Sequence, residues 1–265
     1  MKKLILLLIL SPITFFSQGP VDGYMKNKKD YSLGLSFSQE KANELFAGTD
    51  KIGFNRTMTA VSLFGIYGIS NKLNIQVNLP FVSVNSGAES SLQDASVYLK
   101  YSLLNKENSK GSLRLIAAAG YAMPVANYQT NGGNALGQRA KVGDGRIVIQ
   151  QNFKNNFFAS LQGGYFLKSD PTPNAASSSL KIGYAGSFYA DVWFEVLNAF
   201  GGNDYMPGKP NADFRSFGFS YQKIGGTFYK PLRNRLGAFI GTSYVLAGRN
   251  VSQGVGVNIG IVLKK

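Results

Sequence analysis

The chain has 265 residues, 44% of them hydrophobic, with 31 glycines, 19 phenylalanines, 14 tyrosines and a formal charge of +14. It contains no cysteine and no histidine, which excludes disulfides, thiolate metal sites, the usual zinc ligands and every catalytic dyad built on imidazole. The basic residues are dispersed, with no run of five like charges. They read as solvated loops and scattered interior residues rather than as a nucleic-acid surface.

Met1-Lys2-Lys3 precedes the apolar run beginning at Leu4, and Ser11-Pro12-Ile13-Thr14-Phe15-Phe16 follows. A short basic region and an apolar region of about a dozen residues describe a secretory signal peptide. The sequence therefore predicts a leader over 1–17, cut near Ser17–Gln18, and a mature domain over 18–265. Losing Lys2 and Lys3 lowers the charge from +14 to +12. No later stretch is an apolar helical span, so any membrane crossing falls to strands.

From there the pattern has a period of two. Over 31–39, Tyr31, Leu33, Leu35 and Phe37 share one face and serines or glycine the other. The polar stretch 41–55 reads as a loop, and 56–69 as a strand apolar on both sides. Ser70-Asn71-Lys72 is a tight turn into 73–84, where Leu73, Ile75, Val77, Leu79 and Phe81 alternate with Asn74, Gln76 and Asn78. A turn centred on Asn71 sets Gly68 opposite Asn74 and Ile66 opposite Gln76. After a loop at 85–90, strands follow over 95–103 and 113–124. Then come a long loop over 126–144 and a hairpin of 146–153 with 157–168. A Pro-containing loop over 169–178 leads to strands at 179–185 and 188–197. The loop 198–212 leads to 213–229, with a bulge at Gly225-Gly226, and then to 236–246 and 255–263.

About twelve strands near the length a tilted bilayer-crossing strand requires point to an all-β, antiparallel transmembrane β-barrel. The connections after odd-numbered strands are mostly long and those after even-numbered ones short or modest, which sorts loops by rim and puts both termini at the short-turn rim. Closure with an even strand count leaves no unpaired edge in lipid.

Three stretches carry a resemblance. Ile66-Tyr67-Gly68-Ile69-Ser70-Asn71-Lys72-Leu73 runs on to Val77-Asn78-Leu79-Pro80-Phe81-Val82, and Leu99-Lys100-Tyr101-Ser102-Leu103-Leu104 follows. With Gly120–Tyr128, including Met123-Pro124, this portion resembles the outer-membrane β-barrel family associated with the meta-pathway of phenol degradation in Gram-negative bacteria. The match covers roughly residues 60–130. Gln93 stands where that family usually has glycine, and the chain ends Leu263-Lys264-Lys265 rather than on an aromatic residue. The resemblance implies a barrel of about twelve strands, placed in the outer membrane among its lipid, and uptake of small molecules, apolar ones included.

Lys100, Arg114, Arg146, Lys181, Asp191 and Glu195 fall on the polar faces of their strands, with Trp193 between the two carboxylates. In a barrel that face is the lumen, and the charged groups there are either an electrostatic filter that selects solutes or a structural network of ion pairs and amides that fills a narrow interior. If Gly186 centres its hairpin, Lys181 lies opposite Asp191 and pairs with it. If Glu107 centres the preceding one, Lys100 lies opposite Arg114, and two like charges face each other across the ladder. Asp22 and Asp30 belong either to a periplasmic segment or to a plug. Asp191 and Glu195, roughly 13 Å apart along one strand, are too far apart for a paired acid/base site. No catalytic residue, metal ligand, cofactor motif or nucleic-acid partner is expected. The function expected is a passive channel for small molecules. The alternative is a closed structural or surface-interaction barrel with partner-binding loops.

Overall fold

A computed structural model describes residues 20–207, 213–233 and 235–265. The leader expected over 1–17 lies outside the described residues. The strands are β1 (Tyr31–Ala47), β2 (Asp50–Gly68), β3 (Leu73–Val84), β4 (Glu89–Leu92), β5 (Asp94–Asn108), β6 (Gly111–Pro124) and β7 (Val142–Phe153). They continue with β8 (Phe157–Lys168), β9 (Ala175–Ala185), β10 (Tyr189–Ala199), β11 (Ser220–Arg233), β12 (Leu236–Arg249) and β13 (Ser252–Lys264). Every pairing between strands is antiparallel. β1 pairs with both β13 and β2, and β2 pairs with β3. The sheet is thus a closed ring. β4 and β5 both lie along β3, Phe81 facing Leu92 and Asn78 facing Ser96, so together they form one stave of a twelve-stave barrel.

The alternation decides which side meets lipid. In β1, Leu33, Leu35 and Phe37 are 48, 48 and 46% exposed, whereas Ser32, Ser36 and Ser38 are 8, 5 and 2% exposed. The apolar face points out and the polar face in, the inverse of a soluble core. Aromatic rings sit at both ends of the wall. At the short-turn rim Phe157, Tyr184, Phe188 and Phe228 form a chain of ring contacts at 5.5, 4.9 and 5.5 Å. Towards the other end Tyr165 stacks on Phe200 at 5.7 Å. Such rings suit the headgroup level of a bilayer.

The hairpin at Asn71 has the expected register, Gly68 facing Asn74 and Ile66 facing Gln76. Other expectations are corrected. The polar stretch 41–55 is not a loop. β1 and β2 stay paired as far as Ala47 and Asp50, turning at Gly48 with a φ of +58°. Polarity there marks where the ribbon leaves lipid, not where it leaves the sheet. The connections after the first and third staves are accordingly tight. On that rim the long connections are 125–141, 169–174 and 200–219.

Lys100 does not face Arg114. It faces Ala118, and Arg114 faces Asn105. The turn forms at Ser109-Lys110, where Asn108 Oδ1 accepts the Lys110 amide at 2.8 Å and Gly111 takes a φ of +144°. An extra residue between Ser102 and Leu104 shifts the register further. The hairpin after β9 centres on Ser187, so Lys181 faces Trp193 rather than Asp191. No bulge falls at Gly225-Gly226: opposite Gln222 and Lys223 the extra residue is Leu246 of β12, and β11 carries its own extra residue at Leu232. Gly225 is instead the space that the Trp193 ring fills, since a Cβ there would lie 2.0 Å from it.

Candidate functional site: the barrel interior and its mouth

Alternation carries the charged side chains into the barrel. Lys100, Arg146, Lys181, Asp191, Trp193 and Glu195 are all less than 7% exposed, and Arg114 is half-buried on the same inner face. Arg146 donates to Asp144 Oδ2 at 2.8 Å and to Gln162 Oε1 at 2.6 Å, and Tyr98 donates to Asp144 at 2.8 Å. Lys181 reaches Asp191 diagonally at 3.5 Å, and Asp191 accepts from Tyr189 at 2.5 Å. The ion pair expected on a wrong register therefore forms on the real one, because diagonal neighbours on a sheet face remain within reach of a long side chain. Paired in this way, most of the charge is answered within the wall. Arg114 differs: its hydrogen bonds go to neutral oxygens, Asn105 Oδ1 at 3.4 Å and Gly23 O at 3.2 Å.

Of the segment 20–30, which precedes β1, residues 20–26 lie inside the barrel, and 27–30 run along the short-turn rim, where the Lys28 amide donates to Asn71 Oδ1 at 2.9 Å. The backbone oxygens of the inner part accept from opposite walls. Pro20 O accepts from Gln76 of β3 at 2.7 Å, and Val21 O from Gln162 of β8 at 2.9 Å. Asp22 takes a hydrogen bond from Lys100 Nζ at 2.7 Å, and Tyr24 O takes another at 2.8 Å. Val21 packs with Tyr98, Ile116, Ala118 and Val148, an apolar cluster within the lumen, and Met25 rests against it. The Tyr24 ring stands edge-on to Phe158 at 5.7 Å. Asn74 binds both the amide and the carbonyl of Lys26, at 2.7 and 3.0 Å. Of the two readings of Asp22, the plug is the one observed. Burial is the largest influence on the Asp22 carboxyl and raises its pKa, but the charge and hydrogen bond of Lys100, with Lys181 and the Tyr24 amide, together hold it below the ordinary carboxylate value.

The other end is shaped by loop 125–141 and by residues 200–207 and 213–219, the described parts of the loop between β10 and β11, all folded inward. Loop 125–141 is anchored by Tyr128, which donates to Asp94 at 2.6 Å, and by Arg56, which donates to Ala135 O at 2.5 Å. Gln93 also donates to Leu136 O. Loop 200–219 is held by Asn250, at the β12–β13 turn with a φ of +56°. Its Oδ1 accepts from Gly48 and Tyr205 amides, and its Nδ2 donates to Asn203 O and Gly218 O, all within 3.0 Å. Between these loops and the inner wall lies a cavity of about 750 Å³. Its apolar side is Phe54 and Met58 of β2 with Phe214, Phe217 and Phe219 of the loop. Glu40, Arg56, Tyr221 and Lys223 supply polar groups. Asp213, at its edge, is bonded to Arg215 at 2.6 Å, and that guanidinium holds its carboxyl below the usual range.

Sequence reasoning did not single out Arg56, Tyr221, Lys223 or Asn250. Tyr221 and Lys223 share the inner face with Gly225, an alternation visible once the strand is registered. Arg56 was concealed by standing at the edge of the stretch read as a loop.

No family model matches the chain, and no curated protein matches it in sequence. Solved structures do. An outer-membrane channel from Pseudomonas putida F1 superposes with a TM-score of 0.72 at 16% identity, over 93% of this chain and 99% of that one. The NanC porin superposes at 0.55 with 11% identity, over 88% of this chain and 100% of that one. The KdgM porin in complex with disordered oligogalacturonate superposes at 0.53 with 9% identity, over 88% and 98%. These likenesses, with the lipid-facing wall, show a fold of the outer-membrane β-barrel class.

Proposed function

We propose that this chain is a passive outer-membrane channel for small molecules, apolar ones included, exported by a leader over 1–17. The observation that carries the reading is the inversion of the wall. A lipid-facing cylinder encloses a charged, hydrogen-bonded interior that opens into a cavity at one mouth. Lys100, Arg114, Arg146, Lys181, Asp191, Trp193 and Glu195 line that interior and act as its electrostatic filter. The resemblance of residues 60–130 to the phenol-degradation family supports an aromatic or apolar cargo.

The segment 20–26 across the lumen favours a second reading, a closed barrel whose loops bind a partner. Planar-bilayer conductance and liposome swelling of the mature chain separate the two. Discrete current steps and swelling in small solutes are the expected result. A folded barrel that is silent in both assays, even with Asp22→Asn loosening the segment, overturns the channel and leaves the second reading.

A further inference from the structure

We infer that the β11–β12 hairpin is a binding site for the headgroup of an anionic phospholipid, in the leaflet that meets the short-turn rim. The site is on the outer surface of the wall. It therefore goes beyond the channel reading and rests only on the barrel being lipid-facing.

The two rims differ in how their charges are answered. At the long-loop rim cations stand against carboxylates: Lys51 with Glu44 at 3.3 Å, Arg215 with Asp213 at 2.6 Å and Arg249 with Asp204 at 2.5 Å. At the short-turn rim the carboxylate side chains are Asp30 and Glu107. Asp30 accepts from Asn27 at 3.2 Å, and Glu107 faces Ser112 of β6.

Unanswered charge is densest on the β11–β12 hairpin. Lys230, Arg233 and Arg235 are all exposed, and among the described residues their side chains have neither hydrogen bond nor ion pair. β11, β12 and β13 contain no aspartate or glutamate. The carboxylates of the next strand, Asp191 and Glu195 of β10, are buried in the lumen.

Register decides which way these cations face. Phe228 pairs with Ile240, Lys230 with Ala238 and Arg233 with Leu236. Phe228, Ile240 and Leu236 are 43, 44 and 39% exposed on the lipid side. Paired residues share a face of the sheet, so Lys230 and Arg233 stand on the lipid side as well. Two residues advance a strand by roughly 7 Å, which sets Lys230 just beyond the Phe228 ring. That ring belongs to the aromatic chain at headgroup level, where a phosphate is within reach of an ammonium on a long aliphatic stem. Leu232, 59% exposed, adds an apolar side chain among the cations. A water-soluble polyanion would use only the charges. A phospholipid uses both, its phosphate on the cations and its acyl chain along Phe228, Leu236 and Ile240. A zwitterionic headgroup brings a cation of its own, so the preference is for a lipid of net negative charge.

The test is native mass spectrometry of the folded chain in detergent micelles, with dioleoylphosphatidylglycerol and dioleoylphosphatidylcholine as probes. The two share their acyl chains and differ in net charge. At low ionic strength phosphatidylglycerol is expected to be retained about tenfold more strongly. Lys230→Gln, Arg233→Gln and Arg235→Gln together are expected to bring it down to the level of phosphatidylcholine. Lys41→Gln with Lys51→Gln, at the other rim, is expected to leave the preference unchanged. Equal retention of the two lipids, an unchanged preference in the triple variant, or an equal loss in the variant of the other rim overturns the site. Sedimentation with purified peptidoglycan supplies the remaining arm. Retention there that the triple variant loses, without any lipid preference, overturns the lipid in favour of a cell-wall partner. Heat-modifiable gel mobility reports whether each variant is folded. Should the triple variant not fold, Arg233→Gln alone takes its place: part of the preference is lost if the site is real, and an unchanged preference overturns it. Lipid retention is read without permeation. A conducting chain with no lipid preference overturns this inference alone, and a lipid-selective chain with no conductance overturns the channel alone.

Discussion

Asp22 and Lys100 meet at 2.7 Å inside the barrel, the first on a segment that precedes every strand and the second on the inner wall of β5. Lys100 is fully buried, while the Asp22 side chain keeps half of its exposure within the lumen. The pair therefore contributes on the order of 1 kcal/mol to seating the segment, well short of a wholly buried bridge. Asp22→Asn is expected to raise single-channel conductance at neutral pH.

The same pair has a pH signature. The Asp22 carboxyl is held below its ordinary value of 3.8, so its contribution is complete above that pH and is lost as pH falls through the depressed value. Conductance of the unaltered chain should stay level from neutral pH down to about pH 4 and rise below it. In Asp22→Asn the acid rise should be absent, since the amide does not titrate. A rise of equal size in both chains would assign the transition to another group.

Arg114 is an interior cation whose hydrogen bonds go to uncharged oxygens. Its field reaches a passing ion less compensated than those of Arg146 or Lys181, which stand against carboxylates. Arg114→Glu is expected to move the reversal potential in a salt gradient towards cation preference, with Arg114→Gln intermediate. Identical reversal potentials in all three chains would remove Arg114 from the filter.

Arg146 and Asp144 are each about 1% exposed and bonded at 2.8 Å. Arg146→Ala leaves the carboxylate buried with only Tyr98 donating to it. Removing one partner of a buried pair costs about 3–5 kcal/mol, and Arg146→Lys is expected to recover only part of that because it loses the planar fork. The thermal midpoint in detergent, followed by β-sheet circular dichroism, is the measurement.

Trp193, the chain's one tryptophan, lies over Gly225 on the neighbouring stave. Gly225→Ala puts a methyl within 2.0 Å of the indole and 2.4 Å of the Thr242 carbonyl. Overpacking of this kind costs about 1–3 kcal/mol. Trp193 fluorescence should shift in that variant and remain unchanged in Arg114→Gln, which lies on a distant stave.

The fold was legible because lipid-facing strands repeat with a period of two, and that period survives in most segments. Tyr31 to Phe37 and Val255 to Leu263 show it without interruption. Register was legible only where the turn residues were unambiguous. Ser70-Asn71-Lys72 met that condition. The Asn108–Gly111 turn did not, because polar residues on either side of it offered several centres, and an extra residue at Leu103 then displaced every partner beyond it. The inward face of each charged residue followed from alternation alone, whereas its partner depended on register, so Lys100 could be placed in the lumen and still be matched to the wrong neighbour. The seated segment and the inward-folded loops were the least visible. A backbone oxygen such as Val21 O carries no residue-type signal, and a polar loop reads alike whether water or a barrel wall receives its hydrogen bonds.

The seam of the ring joins its first stave to its last, with the Lys265 amide donating to Tyr31 O at 3.0 Å. Residues more than two hundred positions apart must therefore meet before the cylinder exists. Until then each of the two free margins offers a row of unmet amides and carbonyls that hydrocarbon does not tolerate. Without the last stave β1 keeps only β2, and its other edge stays open, so closure of the cylinder depends on β13 reaching β1.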